Sequence, residues 1–266
     1  YKFLQPSRTV TNIRTYSALE LKVLLNVSFL NKYGFKISHI DKMSPEQMEE
    51  KILTINQMDA QKERVVNNLI KDMVSLNMPA FEQQLDNYIA QKGVEKTIVE
   101  IIFSFLERVG ILWMTSKINP AQEHLATNIL RQKIIYGIEK LTPVTKYTKR
   151  VVLFLPEAEY HELGILYVHF LLKQKGIYVD YLGTNIPMGD LEFLVSRTKP
   201  DYLFCHITSP AKKFKLDKFL DGLSKINKSS PVVLSGQIVR DYKGQVASNI
   251  SIKRSLGETI QFLNTI

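Results

Sequence analysis

The sequence predicts a multidomain chain in which an all-helical region precedes a doubly wound α/β domain. A change of hydrophobic rhythm carries that prediction. Up to about residue 143 the apolar residues recur with the 3.6-residue period of amphipathic helices; beyond it, short apolar runs alternate with helical stretches. The opening residues also stand apart by charge. Residues 1–42 hold seven Lys/Arg and two Asp/Glu, a net of +5 in a chain of 266 residues with net charge +9. Such a basic segment suits a polyanion such as DNA, and equally a solvated basic face.

The composition narrows the class further. With 45% hydrophobic residues the chain can bury proper cores. It has no run of eighteen apolar residues, so no transmembrane helix and no membrane partner are expected. The first residues, YKFLQPSRTVTNIRTYS, lack the apolar stretch of a signal peptide and begin abruptly. The single Cys205 excludes an internal disulfide and a Cys-based metal cluster, which fits a cytoplasmic protein.

Three zones follow: 1–57, 58–143 and 144–266. In the first, Leu19, Leu21, Val23, Leu24, Val27 and Leu30 recur at near-helical spacing, and Gly34 stops the helix. Ser44-Pro45-Glu46-Gln47 then reads as an N-cap with proline at the first helical position, starting a helix that runs to about residue 57. In the second zone four helices are expected, over 60–76, 80–92, 94–115 and 120–141. Asn119 caps the last, with Pro120 at its first position and Gln122 as capping partner, and Pro143 ends it. Four amphipathic helices with short loops imply a four-helix bundle.

In the third zone KRVVLFLP, IYVDYLG, DYLFCHIT and PVVLSG read as strands, with a fifth near Ala247–Ile252. Helices are expected around 161–175, 188–198, 212–226 and 256–265. Strands that are apolar throughout fit a parallel sheet covered on both faces. Such sheets bind ligands beyond the carboxyl ends of their strands.

Those ends carry the candidate chemistry. After the first strand, Glu159, Tyr160 and His161 lie in the loop or first helical turn, with Gly164 three residues on. An imidazole there can bind a metal through one nitrogen while a carboxylate holds the other. One histidine cannot build a zinc site, but a metal already ligated by a macrocycle needs only one protein ligand. The bland reading is a surface histidine at a helix start. The next loops offer Gly183, then Thr208 and Ser209, then Ser235 and Gly236, small enough to let a flat ligand approach the backbone.

This pattern resembles the cobalamin-binding domain of corrinoid proteins, with its Asp-x-His-x-x-Gly, Ser-x-Leu and Gly-Gly motifs. The resemblance implies a flavodoxin-like (Rossmann-like) domain. The motif histidine would be the lower axial ligand of cobalt, and the nucleotide tail of the cofactor would thread between sheet and helices. His161 matches the ligand. Glu159 stands for the usual aspartate, Ser209 matches the serine, Ala211 replaces the leucine and Ser235-Gly236 replaces the double glycine. Upstream, Trp113, nine residues, then Glu123-His124 is similar to the helical cap of light-sensing CarH/LitR-type regulators. There the tryptophan packs by the upper ligand, and Glu123 and His124 would face a 5′-deoxyadenosyl group, implying adenosylcobalamin. The bland alternative is a core tryptophan beside an ion pair. Light-responsive members carry histidine directly after the tryptophan; Met114 stands here, a softer and weaker ligand, so any photoproduct should differ.

The first zone resembles the second half of a MerR-family DNA-binding domain, a partial winged helix whose recognition helix would lie upstream of Tyr1. On that resemblance Arg8, Asn12, Arg14 and Tyr16 grip phosphates of double-stranded DNA without reading sequence. His39 is expected to be exposed, His169 structural, and Cys205 a buried strand residue.

Together the resemblances imply a cobalamin-dependent transcriptional regulator, a repressor, working as a dimer or tetramer. They imply no enzyme, since no nucleophile–base pair with a plausible site is found. Two alternatives stay open: a corrinoid carrier for methyl transfer, and a regulator whose cobalamin domain is degenerate and binds no cofactor.

Overall fold

A computed structural model of the chain describes residues 7–8, 14–32, 35–55, 57–115, 117–142, 147, 149–210, 214–226 and 230–266. Asn12, Gly34, Pro143 and Ala211, to which the sequence gives roles, lie outside them. The chain divides into two compact units, Tyr1–Leu130 and Arg131–Ile266. Among the described residues no helix is long and apolar enough to cross a membrane.

The first unit opens with two short antiparallel strands, β1 (Ser7–Arg8) and β2 (Arg14–Thr15), in which Arg8 pairs with Arg14. Helix α1 (Ala18–Lys32) starts at a capping box: Glu20 N–H donates to Ser17 Oγ at 3.2 Å, and Ser17 N–H donates to the Glu20 carboxylate at 2.7 Å. A short helix α2 (Ile37–Ile40) follows. The Ser44–Gln47 box starts α3 (Pro45–Ile55) in the same reciprocal way. Val27, Phe29 and Leu30 of α1 bury against Ile40 and Met48. His39 is exposed.

Next come α4 (Gln57–Val74), α5 (Met78–Lys92), α6 (Val94–Thr97), a π-helical turn (Ile98–Ile102), α7 (Phe103–Met114) and α8 (Pro120–Glu139). Asn119 caps α8, as read from its spacing: its side chain accepts from Ala121 N–H at 2.9 Å, while its own N–H donates to Gln122 at 2.7 Å. The π-turn interrupts the stripe from Val94 to Val109 that reads as one uniform helix in sequence. An inserted residue shifts the register without breaking the apolar face, so periodicity alone cannot reveal it. Ile98, Ile101 and Ile102 of that turn are all buried. The interior of α4, α5 and α7 centres on Phe81 and Phe105, both fully buried, edge to face with ring centres 5.4 Å apart.

The second unit is a five-stranded parallel sheet. Its strands are β3 (Arg150–Pro156), β4 (Tyr178–Ile186), β5 (Tyr202–His206), β6 (Val232–Ser235) and β7 (Ile250–Ile252), in the order β4-β3-β5-β6-β7. Its helices are α9 (Leu163–Gln174), α10 (Met188–Thr198), α11 (Leu216–Ile226), α12 (Gln237–Arg240) and α13 (Leu256–Thr265). Strands β3, β5 and β6 are almost wholly buried, as their unbroken apolar runs require, and the edge strand β4 is half-exposed. The strand near Ala247–Ile252 is β7. The segment 182–187 is not a loop beyond a strand, because β4 continues through it to Ile186. The register slips beside Gly183, whose φ of +86° absorbs the bulge. The four-residue α12 has no counterpart in the periodicity.

Replacing Phe105 by alanine should cost about 3 to 5 kcal/mol, the range for emptying a buried aromatic position. The helical signal in a urea titration should fall at lower denaturant. An unchanged midpoint would show that the Phe81–Phe105 pair does not hold these helices together.

Candidate functional site

The strand order reverses between β3 and β5, and the chain runs from their carboxyl ends in opposite directions around the sheet. In open parallel sheets this is where a crevice forms. Glu159 lies there, fully buried although it is a carboxylate. A buried charge survives only if its hydrogen-bonding capacity is met. One oxygen, Oε1, accepts from the backbone N–H of Tyr160 at 2.9 Å and of His161 at 3.0 Å, and lies 2.6 Å from His161 Nδ1. The other, Oε2, accepts from the backbone N–H groups of Thr208 at 2.8 Å and Ser209 at 2.7 Å. One side chain therefore ties the loop after β3 to the loop after β5.

Burial alone would raise the Glu159 carboxyl from its ordinary 4.5. The bonds from the His161 ring and from the backbone N–H groups of His161, Ser209 and Thr208 outweigh it and bring the value down to about 2. An ionised carboxylate can only accept, so the proton between the two side chains belongs to Nδ1. Glu159 thereby fixes the His161 tautomer and leaves Nε2 as the unprotonated nitrogen. The His161 side chain is 57% exposed.

The loop is held in an unusual shape. Ala158 has φ +63°, costly for a residue with a Cβ, and Asn185 has φ +58°, which asparagine tolerates better. Ala158 N–H donates to Asn185 Oδ1 at 2.8 Å, and Asn185 N–H donates to the Glu159 carbonyl at 3.1 Å. Behind His161, Glu162 accepts from Tyr181 Oη at 2.6 Å and pairs with Arg131. Tyr181 stacks on His169, whose enclosure brings it down to about 4. Cys205 is fully buried.

The small residues at the strand ends meet this chain's own atoms. A Cβ on Gly164 would stand 2.6 Å from His206 Nε2, and a Cβ on Gly236, at φ +105°, would overlap the Ile207 backbone. Ser235 is buried, with its hydroxyl 2.8 Å from His206 Nδ1. Burial holds His206 down to about 4, against the pull of Glu159. Thr208 and Ser209 contribute backbone N–H groups to Glu159, a role that sequence, which shows only side chains, does not display. Tyr160 is 64% exposed. His206, Asn185 and Ala158 are site residues that sequence reasoning missed. The one visible signal was a polar residue ending the apolar strand β5.

In the helical unit Trp113 lies in the last turn of α7 and Glu123 in the first turn of α8. Trp113 is 42% and Met114 80% exposed, so the tryptophan is not a core residue. His124 Nδ1 lies 3.0 Å from the Glu123 carboxylate, whose side chain is mostly buried while that of His124 is open. Ile111 and Leu125 are also exposed. Of the candidate phosphate ligands, Arg8 and Arg14 are backbone register partners in the β1–β2 pair, and Tyr16 follows β2 with Lys117 Nζ 4.4 Å from its ring centre. Among the described residues no group of three or more His, Cys, Asp or Glu side chains could hold a metal ion.

The second unit is thus a parallel α/β domain with one carboxylate-oriented imidazole at its switch point, and comparison with known proteins gives the chain a context. Residues 65–136 match the family described as the B12 binding domain. The chain is similar to the HTH-type transcriptional repressor CarH of Myxococcus xanthus, 26% identical over 87% of this chain and 78% of that protein. It is also similar to the repressor CarA of the same organism, 23% identical over 91% of this chain and 80% of that one. In fold it is like the monomethylamine corrinoid protein of Methanosarcina barkeri, with TM-score 0.59 and 14% identity over 77% of this chain and 99% of that one. Residues 65–136, in the helical part of the chain, thus resemble a B12 binding domain, and the chain resembles transcriptional repressors.

Glu159→Gln replaces one accepting oxygen by a donor that faces backbone N–H groups. It should cost about 2 to 4 kcal/mol, the scale of leaving buried donors unmet. Because the folded value is depressed, the wild-type advantage is complete above pH 4.5 and disappears as pH falls towards 2. Denaturant midpoints of both proteins across that window test this; parallel curves would remove Glu159 from the fold's electrostatics.

Proposed function

We propose that the chain is a cobalamin-dependent transcriptional regulator of the MerR type, acting as a repressor on double-stranded DNA and working as a homo-oligomer. The observation that carries the reading is the Glu159–His161 pair. A buried, ionised carboxylate 2.6 Å from Nδ1 presents Nε2 as a neutral donor, which is what a cobalt held in a corrin asks of a lower axial ligand. The match of residues 65–136 to the B12 binding domain and the similarity to CarH and CarA support it.

In this reading His161 holds the corrinoid from below and Glu159 fixes its tautomer. By the resemblance to the cap of CarH-type regulators, Trp113, Glu123 and His124 would serve the upper-ligand side. Bound there, the corrinoid supplies a cobalt whose upper organic ligand can be lost to light or exchanged; adenosylcobalamin is the form proposed. Arg8 and Arg14 of the β1–β2 pair, with Tyr16, bind phosphates. Regulation then requires that assemblies of different DNA affinity also differ in affinity for the cofactor.

Purified protein mixed with adenosylcobalamin in the dark and desalted should keep its colour, with a base-off/His-on spectrum that His161→Ala loses. Elution without colour would remove the corrinoid from the reading. A change of size in gel filtration between dark and illuminated samples is the expected sign of light response, and a constant size would leave a cofactor sensor.

The double substitution of Arg8 and Arg14 by alanine should weaken DNA binding about equally for all sequences. It should reduce the salt slope by about two, one for each phosphate no longer neutralised. An unchanged slope would take the β1–β2 pair out of the DNA interface.

A further inference from the structure

Charge is distributed unevenly within the helical unit. Residues 1–42 carry a net of +5, whereas residues 43–130 hold eight Lys/Arg and twelve Asp/Glu, a net of −4. A basic segment suited to phosphates is thus followed by an acidic body, and negative charge held close to DNA opposes binding. A cation placed where the two meet offsets part of that repulsion.

One such place is the corner between α7 and α8. From Val109 to Gln122 the chain has one charged residue, Lys117. Its Nζ lies 4.4 Å from the centre of the Tyr16 ring. Tyr16 stands two residues after Arg14, the register partner of Arg8. The corner is fixed by its own backbone: Thr115 N–H donates to the Ile111 carbonyl at 3.2 Å, and Lys117 N–H donates to the Leu112 carbonyl at 3.0 Å. Ile118 is buried, and the Asn119–Gln122 box starts α8. Lys117 is therefore delivered to Tyr16 from a set position, and both residues stay partly exposed.

An ammonium on the face of a partly exposed ring gains little, no more than an exposed ion pair. The ring also leaves the positive charge in place. A lysine meets an anion as a point charge with three donors, so it needs no fixed fork to serve a phosphate. The tyrosine hydroxyl lies at the edge of the same ring, so a phosphate that accepts from Tyr16 also comes close to the ammonium.

We propose that Lys117 is a further phosphate-binding residue, which joins Arg8, Arg14 and Tyr16 on the DNA backbone and makes the α7–α8 corner part of the DNA interface. The inference rests on the DNA-binding reading of the β1–β2 segment. It extends that interface to a loop residue four positions past Trp113.

The test measures binding of the full chain to a mixed-sequence DNA duplex against salt, for wild type, Lys117→Gln, Lys117→Arg and the double alanine variant of Arg8 and Arg14. Lys117→Gln should lower the salt slope by about one. Raising salt from roughly 50 to 200 mM should then cost wild type about three- to fourfold more affinity than the variant. Lys117→Arg keeps the charge and should keep the slope. A slope that Lys117→Gln leaves unchanged, while the Arg8/Arg14 variant loses its share, overturns the inference and leaves the DNA-binding reading standing. A fall in thermal midpoint without a change of slope does the same, because the lysine then only packs on the ring. So does an equal loss of slope in Lys117→Arg, which would mean that shape and not charge matters. Failure of wild type to bind the duplex overturns the DNA-binding reading and this inference with it.

Discussion

The second unit depends on one buried carboxylate. Glu159 has no solvent exposure, and every lone pair it presents must be met from within the chain. It succeeds by drawing donors from two loops that are 49 residues apart in sequence. The positive φ of Ala158, the αL asparagine at 185 and the extension of β4 through a bulge all serve to bring that side chain to the switch point. The same bonds keep it ionised. An ionised, immobile acceptor then determines which nitrogen of His161 keeps its proton and which one can coordinate.

The strand ends illustrate how small residues serve two purposes that sequence cannot separate. A glycine marks a place where something approaches closely, yet it does not say what. At Gly164 the neighbour is His206, and at Gly236 it is the Ile207 backbone. Two imidazoles thus differ in setting: His206 is packed on Gly164 beside the Ser235 hydroxyl, and His161 is 57% exposed beside Glu159.

The helical unit shows the opposite arrangement. Its interior is closed around Phe81, Phe105 and the isoleucines of the π-turn, while Trp113, Met114, Ile111 and Leu125 remain at the surface. Leaving large apolar side chains in water forgoes burial worth about 1.5 to 3 kcal/mol each.

Local rules were legible in the sequence because they act over a few residues. Capping at Ser44 and Asn119, the helices at 188–198 and 256–265, and the apolar strands followed from period and cap chemistry. The Glu159–His161 pair was visible because its members are two residues apart. The division of the chain into units ending at Leu130 and starting at Arg131, inside α8, was not visible, since a continuous helix gives no signal of where its neighbours change. Nor was the π-turn, which preserves the apolar stripe. The partners of Glu159 from the loop after β5 are backbone N–H groups, which nearly every residue carries, so only the strand order could reveal that Thr208 and Ser209 supply them. His206 was legible as a residue but not as a neighbour of Gly164 and Ser235, because these come from different strands and helices. Sequence determined the elements and the orienting pair. Tertiary structure decided which backbone groups complete the carboxylate's shell and what packs on the glycines at the strand ends, because both depend on distances between segments remote along the chain.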